Sequence, residues 1–235
     1  MTGEGGLYFI ETLGCPKNQV DSDKLEGTLI ADGMTAAESA DQADLIVVNT
    51  CAFIEEAREE SIHTILALDN DRSDNSKLIV TGCMAERYGD ELAEALPEAD
   101  SIAGFGVPVT IGSKPKAPLL DLLHLPRPPS RSPWAYVKIA EGCDRACGFC
   151  AIPTFRGPQR SRTIDDICRE VDELHAKEIV LVAQDLAAFG RDQGKGERSI
   201  VPLIKAVSER TDWVRLLYLY PSDLNDALID AICET

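Results

Sequence analysis

The segment Glu141 to Ile152 reads EGCDRACGFCAI and sets three thiols at the spacing Cys143-x3-Cys147-x2-Cys150. Thiolates are the usual ligands of iron–sulfur centres, and three this close can hold three irons of a cubane cluster. The fourth iron then lacks a protein ligand. An open coordination position is where a metal centre binds and activates another molecule, as at catalytic zinc sites. Structural zinc is the competing reading. Such a site normally closes four ligands in paired C-x2-C spacing, and no histidine lies between His124 and His175 to complete one here.

Three further thiols stand apart. Cys15, Cys51 and Cys83 each follow a short apolar run, at residues 7–13, 45–49 (LIVVN) and 78–81. Helix-like stretches come next, near 22–32, 55–68 and 86–96, and residues 101–103 open a fourth strand. Strands alternating with helices predict βαβ units and a parallel sheet covered on both faces. Parallel strands put all their C-terminal ends on one edge, where open α/β folds bind ligands. Separations of 36 and 32 residues therefore still permit convergence in space. A single free cysteine is commonly just a buried small hydrophobe. Three thiols repeated at three strand ends predict metal ligation instead.

The elements around these thiols divide the chain. Residues 113–133 hold six of the thirteen prolines and break the periodic pattern, which predicts a semi-extended linker between domains at 1–112 and 134–235. His124, among leucines there, reads as a packed or surface histidine and not a ligand. A second α/β pattern follows, with strands near 135–140, 179–183 and 214–219 and helices near 164–176, 200–210 and 224–233. Ile164, Ile167, Cys168, Val171 and Leu174 keep the i, i+3, i+4 spacing of one apolar stripe, so Cys168 is expected in the core. Cys233, in step with Leu228, Ile229 and Ile232, is read the same way.

Composition narrows the class. Hydrophobic residues make up 44% and charged residues 27%, the balance of a globular chain and not a disordered one. Residues 1–6 have neither a basic n-region nor an apolar h-region, and no apolar run reaches membrane-spanning length, so the expectation is a cytoplasmic protein. In that compartment clustered thiols stay reduced and serve metals or chemistry, not disulfides. The net charge of −17 is uneven, at −16 over 1–112, +3 over 113–133 and −4 over 134–235. An acidic first domain repels phosphate backbones, which argues against direct nucleic-acid binding by this portion and suits a basic protein partner.

The pattern Cys143-x3-Cys147-x-Phe149-Cys150 resembles the signature of radical S-adenosylmethionine (SAM) enzymes. That resemblance implies that SAM occupies the open iron, that an electron from the reduced cluster releases a 5′-deoxyadenosyl radical, and that Phe149 lies beside the adenine. Cys15, Cys51 and Cys83 ahead of this motif make the chain similar to the methylthiotransferases. The likeness implies a second [4Fe–4S] cluster on those three cysteines, whose open iron carries the sulfur that is methylated and delivered. Leu13-Gly14-Cys15-Pro16-Lys17-Asn18 with Val20-Asp21-Ser22 resembles the branch acting on an aspartate β-carbon of small-subunit ribosomal protein twelve. Ile152-Pro153-Thr154-Phe155-Arg156-Gly157, Ser161-Arg162, Gln184-Asp185 and Tyr218-Leu219-Tyr220-Pro221 agree with it. The branch acting on transfer RNA adenosine typically carries Gln-Met after the first cysteine. It remains an alternative substrate reading, and a non-catalytic iron–sulfur protein that binds a partner remains an alternative class.

The resemblance further implies that cofactors do the chemistry while side chains supply ligation, orientation and a dry cavity, so no general acid or base is assigned. It also implies a low-potential electron donor of the flavodoxin or ferredoxin type. Gln184, at a strand end, is a candidate SAM contact. Arg156 and Arg162 are read either as forks for SAM or substrate carboxylates or as ordinary ion pairs. The fold expected is α/β, with a parallel open sheet followed by an incomplete radical SAM partial βα barrel. About three βα units can be counted after the linker, against six in the family's barrel, and nothing resembles its β-rich TRAM domain. The resemblance therefore does not carry turnover over to this stretch by itself.

Overall fold

A computed structural model describes residues 5–105, 121–194 and 199–234. The chain forms two compact units, Met1–Arg127 and Pro128–Thr235.

In the first unit the elements run β1 (Leu7–Thr12), α1 (Pro16–Ala31), β2 (Thr35–Ala36), β3 (Leu45–Thr50), α2 (Glu55–Asp71), β4 (Lys77–Gly82), α3 (Cys83–Ala95) and β5 (Ser101–Ile102). The strands pair in the order β2-β1-β3-β4-β5, all parallel. Every residue of β3 is buried, as a central parallel strand with both faces covered must be, and this is why its sequence is a continuous apolar run without alternation. Tyr8, Leu25, Leu29, Leu45, Val47 and Ile79 pack one layer of core between sheet and helix.

Two helices start earlier than their apolar periodicity suggests. Pro16 sits at the first position of α1 and Cys15 caps it; proline is pre-organised there and its missing N–H costs nothing. α3 begins at Cys83 itself. The Pro-rich segment falls partly outside the described residues, at 113–120. The rest of it includes a stretch tied to α1. Lys24 Nζ, fully buried, donates to Leu123 O at 3.0 Å and Leu125 O at 2.9 Å, and Arg127 pairs with Asp23 at 2.7 Å.

The second unit runs β6 (Trp134–Lys138), β7 (Ala140–Glu141), α4 (Ile152–Arg156), β8 (Arg160–Ser161), α5 (Ile164–Leu174), β9 (Glu178–Val182), α6 (Ile200–Ser208), β10 (Trp213–Leu216) and α7 (Asp226–Glu234). β6, β9 and β10 form a parallel sheet in sequential order, and β7 pairs antiparallel with β8. The last pair and α4 have no counterpart in the sequence reading, because two-residue strands and a five-residue helix carry no readable period. Ile167, Val171 and Leu174 of α5 enter a core with Val137, Ile179, Leu181 and Leu203. Cys168 is buried beside them. Cys233 corrects the stripe expected on the last helix, because it is exposed. α7 buries Leu228 and Ala231 and leaves Ile229 and Ile232 outward, so its packed face is the one on which Leu228 and Ala231, three residues apart, lie together.

Asp100 fastens the entry of β4. It accepts from Leu78 N at 2.9 Å, Arg72 at 2.5 Å and Lys77 at 3.0 Å. Burial alone would raise its carboxyl, but these donors hold it down at about 2, against 3.8 for a free aspartate. A depressed folded-state value means the stabilisation is complete above the unfolded value and is lost as pH falls through the folded one. The first unit should lose stability from about pH 4 to about pH 2 through this group. Chemical denaturation across that window should show a shallower slope in Asp100→Asn, and an unchanged slope would contradict the assignment.

Candidate metal centres

The parallel register aligns Thr12 with Asn49, Asn49 with Thr81 and Thr50 with Gly82. Cys15, Cys51 and Cys83 therefore come from the same end of three adjacent strands. Cys15 caps α1, Cys51 follows β3, and Cys83 opens α3. Two glycines allow the loops to meet. Gly14 has φ +90, and a Cβ there would stand 2.7 Å from Cys51 Cβ and 2.9 Å from its Sγ. Gly82, at φ +92, would meet Asn49 Oδ1 at 2.3 Å and Thr50 N and O at 2.6 Å. Only a residue without a side chain adopts such backbone in so little space.

Asn18 joins the three loops. Its side chain is fully buried, and Nδ2 donates to Leu13 O at 2.9 Å and Thr50 O at 3.0 Å. Its Oδ1 lies 3.6 Å from the Cys83 thiol, which donates to it. One amide thus touches the residue before Gly14-Cys15, the residue before Cys51, and Cys83 itself. Asn49 reinforces the arrangement by donating to Asn18 O at 2.8 Å and Ser22 Oγ at 2.9 Å, while Asn49 Oδ1 is buried without a donor.

Cys143, Cys147 and Cys150 lie on the irregular loop between β7 and α4, each half-buried. The loop is pinned by Cys143 N to Gly157 O at 3.1 Å, Cys150 N to Cys147 O at 3.1 Å, and Gln159 N to Asp144 Oδ1 at 3.0 Å. Burial pushes the Cys143 thiol up, and the Asp185 carboxylate adds to it. Arg145, inside the loop, pairs with both Asp185 and Asp223 and lies over the Tyr220 ring at 3.9 Å.

All six thiols are free. Among the described residues, no three His, Cys, Asp or Glu side chains are gathered as a metal-holding group. The donor set nevertheless suits an iron–sulfur cluster in kind, with two triplets of thiols, each thiol turning on one χ1 torsion. Beside the second triplet two buried acceptors have no donor, Gln184 Oε1 and Asp185 Oδ1. Buried polar groups are normally satisfied, so these two oxygens are acceptors that a bound donor would satisfy.

Gln184 is held by its amide nitrogen, which donates to Glu141 Oε1 at 2.5 Å. Glu141 also takes Lys138 at 2.7 Å and Arg156 at 2.8 Å. Its burial opposes ionisation, but these two cations hold its carboxyl well below the usual range. Arg156 is thereby committed to an ion pair. So is Arg162, to Glu170 at 2.6 Å. Phe149 is 84% exposed, so its ring is not part of any core. His124 is half-exposed, 3.8 Å from Asp121. Sequence reasoning missed Asn18 as a tie, and it missed Arg145, Asp185, Asp223 and Tyr220. Asn18, Arg145, Asp185 and Tyr220 lay inside segments already singled out, but nothing in spacing reveals which carbonyl, carboxylate or ring a side chain meets.

Replacing Asn18 by Ala should strand two buried carbonyls, at a cost of about 1–3 kcal/mol to the first unit. Native-state hydrogen exchange of the β3 and β4 amides should report that loss, and an unchanged exchange rate would contradict the role of the amide.

The profile of the uncharacterized protein family UPF0004 matches residues 7–104. The uS12 methylthiotransferase RimO of Anaeromyxobacter sp. (strain K) is 44% identical over 245 residues, covering 96% of this chain and 52% of the relative. The protein of the same name from Myxococcus xanthus is 44% identical over 246 residues, covering 97% and 51%. Among solved structures, the cobalamin-dependent SAM radical enzyme OxsB with aqua-cobalamin aligns over 97% of this chain and 41% of its own, at 12% identity and a TM-score of 0.49. The chain spans about half the length of the curated relatives it matches. Residues 7–104 thus match UPF0004, and the chain is similar over nearly all its length to proteins named uS12 methylthiotransferase RimO.

Proposed function

We propose that this chain is the cofactor-bearing part of a radical SAM methylthiotransferase, one that transfers a methylthio group to the β-carbon of an aspartate in ribosomal protein uS12. The observation that carries the reading is the coincidence of two thiol triplets, one on the loops of a parallel sheet and one on the single loop between β7 and α4, with 44% identity to RimO over 96% of the chain. Cys143, Cys147 and Cys150 would hold one [4Fe–4S] cluster, and Cys15, Cys51 and Cys83 a second. When bound, such clusters supply the electron that cleaves SAM and the sulfur that is delivered.

The chain's own residues bind, orient and exclude water. Gln184 and Asp185 offer buried acceptors to a ligand's donors, with Gln184 fixed by Glu141. The uncommitted ring of Phe149 offers a face on which an adenine can stack. The acidic first unit suits a basic ribosomal protein and not free RNA. Two redox centres of this kind would need reduced thiols and a low-potential donor of the flavodoxin or ferredoxin type, which suits a reducing compartment such as the cytoplasm.

Anaerobic reconstitution followed by iron and sulfide counting tests this reading. About eight irons per chain are expected, and about four in a Cys143→Ala/Cys147→Ala/Cys150→Ala variant. A single cluster abolished by that triple change would remove the first site from the account. Zinc in place of iron would sink the reading.

A further inference from the structure

Tyr220 is reached by an unusual turn of the chain. β10 ends with Leu217 N donating to Leu181 O at 3.2 Å. The next residue, Tyr218, has φ +67, a conformation that is uncommon for any side-chain-bearing residue and a strained one for a bulky residue. Its carbonyl accepts from Leu186 N at 3.3 Å, so the strain is held against the loop after β9. Strain of this kind persists where the surroundings over-determine it, and it clusters at functional sites. Here the turn delivers the Tyr220 ring beneath Arg145, 3.9 Å from the guanidinium carbon.

Arg145 is fixed in turn. Its fork closes on Asp185, just past the end of β9, and on Asp223, whose own N–H returns to Tyr220 O at 2.9 Å. Both carboxylates are almost fully buried. A planar fork that is paired at two edges and stacked on one face has no freedom left to rotate. The ring below it is therefore seated, and its hydroxyl oxygen lies 3.6 Å from the Cys147 sulfur.

We propose that Tyr220 is a positioning residue of the Cys143/Cys147/Cys150 site, donating a hydrogen bond to the Cys147 sulfur and setting how readily the centre held there accepts an electron. This rests on the ligand assignment proposed above. As a ligand, Cys147 is a thiolate and has no proton to give, so the phenol must be the donor. Hydrogen bonds to cluster sulfurs are among the determinants of reduction potential. A donor stabilises the added negative charge of the reduced state and raises the potential.

The test is an anaerobic redox titration of the 235-residue chain in a Cys15→Ala/Cys51→Ala/Cys83→Ala background, which leaves one centre to observe. Tyr220→Phe keeps the ring and removes only the hydroxyl. It should bind as much iron as its parent and titrate at a more negative potential. Tyr220→His, which restores a donor, should recover part of the shift. Arg145→Lys, which unseats the ring without removing charge, should move the potential in the same direction as Tyr220→Phe. An unchanged midpoint in Tyr220→Phe at equal iron content overturns the proposal. Loss of iron in that variant also overturns it, since the hydroxyl is not a ligand. A parent that takes up no iron would overturn the ligand assignment itself, and this proposal with it.

Discussion

The hydrogen-bonded register of the parallel strands is the constraint that brings the first thiol triplet together and sets the Gln184–Asp185 turn level with the end of β6, just ahead of the loop that carries the second. Parallel pairing fixes which residues stand level: Thr12, Asn49 and Thr81 in one sheet, Lys138 and Val182 in the other. The loops that follow then leave from one edge. A slip of one residue would turn each strand's apolar set to the opposite face. In β3, where all six positions are buried, it would also carry Asn49 away from Asn18 and Ser22. Core packing therefore fixes register, and register fixes where Cys15, Cys51 and Cys83 can be.

The two sets of loops are secured by different chemistry. Around the first triplet the ties are neutral and buried. Asn18 and Asn49 bond to carbonyls, a hydroxyl and a thiol. Around the second they are ionic: Arg145 with two aspartates, and Glu141 between Lys138 and Arg156. Removing one partner of a buried ionic tie leaves a charge uncompensated, which costs more than losing a neutral bond. The ionic ties also bring carboxylates and cations close to thiols that would bear negative charge as cluster ligands, so the electrostatics of the second loop set would bear on chemistry as well as shape.

Much of this was legible in the sequence. The runs before Cys15, Cys51 and Cys83 are apolar because their strands are covered on both faces, and alternation with helices forced a parallel sheet. Cys143, Cys147 and Cys150 declared themselves by spacing. The starts of α1 and α3 were obscured because Pro16 and Gly82 act through backbone geometry, which hydrophobic periodicity does not record. Cys233 misled because a stripe shows which residues share a face without showing what covers that face. Asn18, Arg145 and Tyr220 were illegible as partners because each also acts on a group 32 to 78 residues away, and no local pattern encodes such pairings. Gln184 stood out by its place at a strand end, whereas its tether Glu141 did not.

On the function proposed, two thiol triplets hold two separate iron–sulfur centres, of which only the second meets SAM. Electron paramagnetic resonance of the dithionite-reduced chain, with and without added SAM, tests this most directly. SAM is predicted to change the spectrum of a Cys15→Ala/Cys51→Ala/Cys83→Ala variant and to leave that of a Cys143→Ala/Cys147→Ala/Cys150→Ala variant unchanged. A SAM-dependent change that survives in the second variant, or that is absent from the first, would contradict the claim.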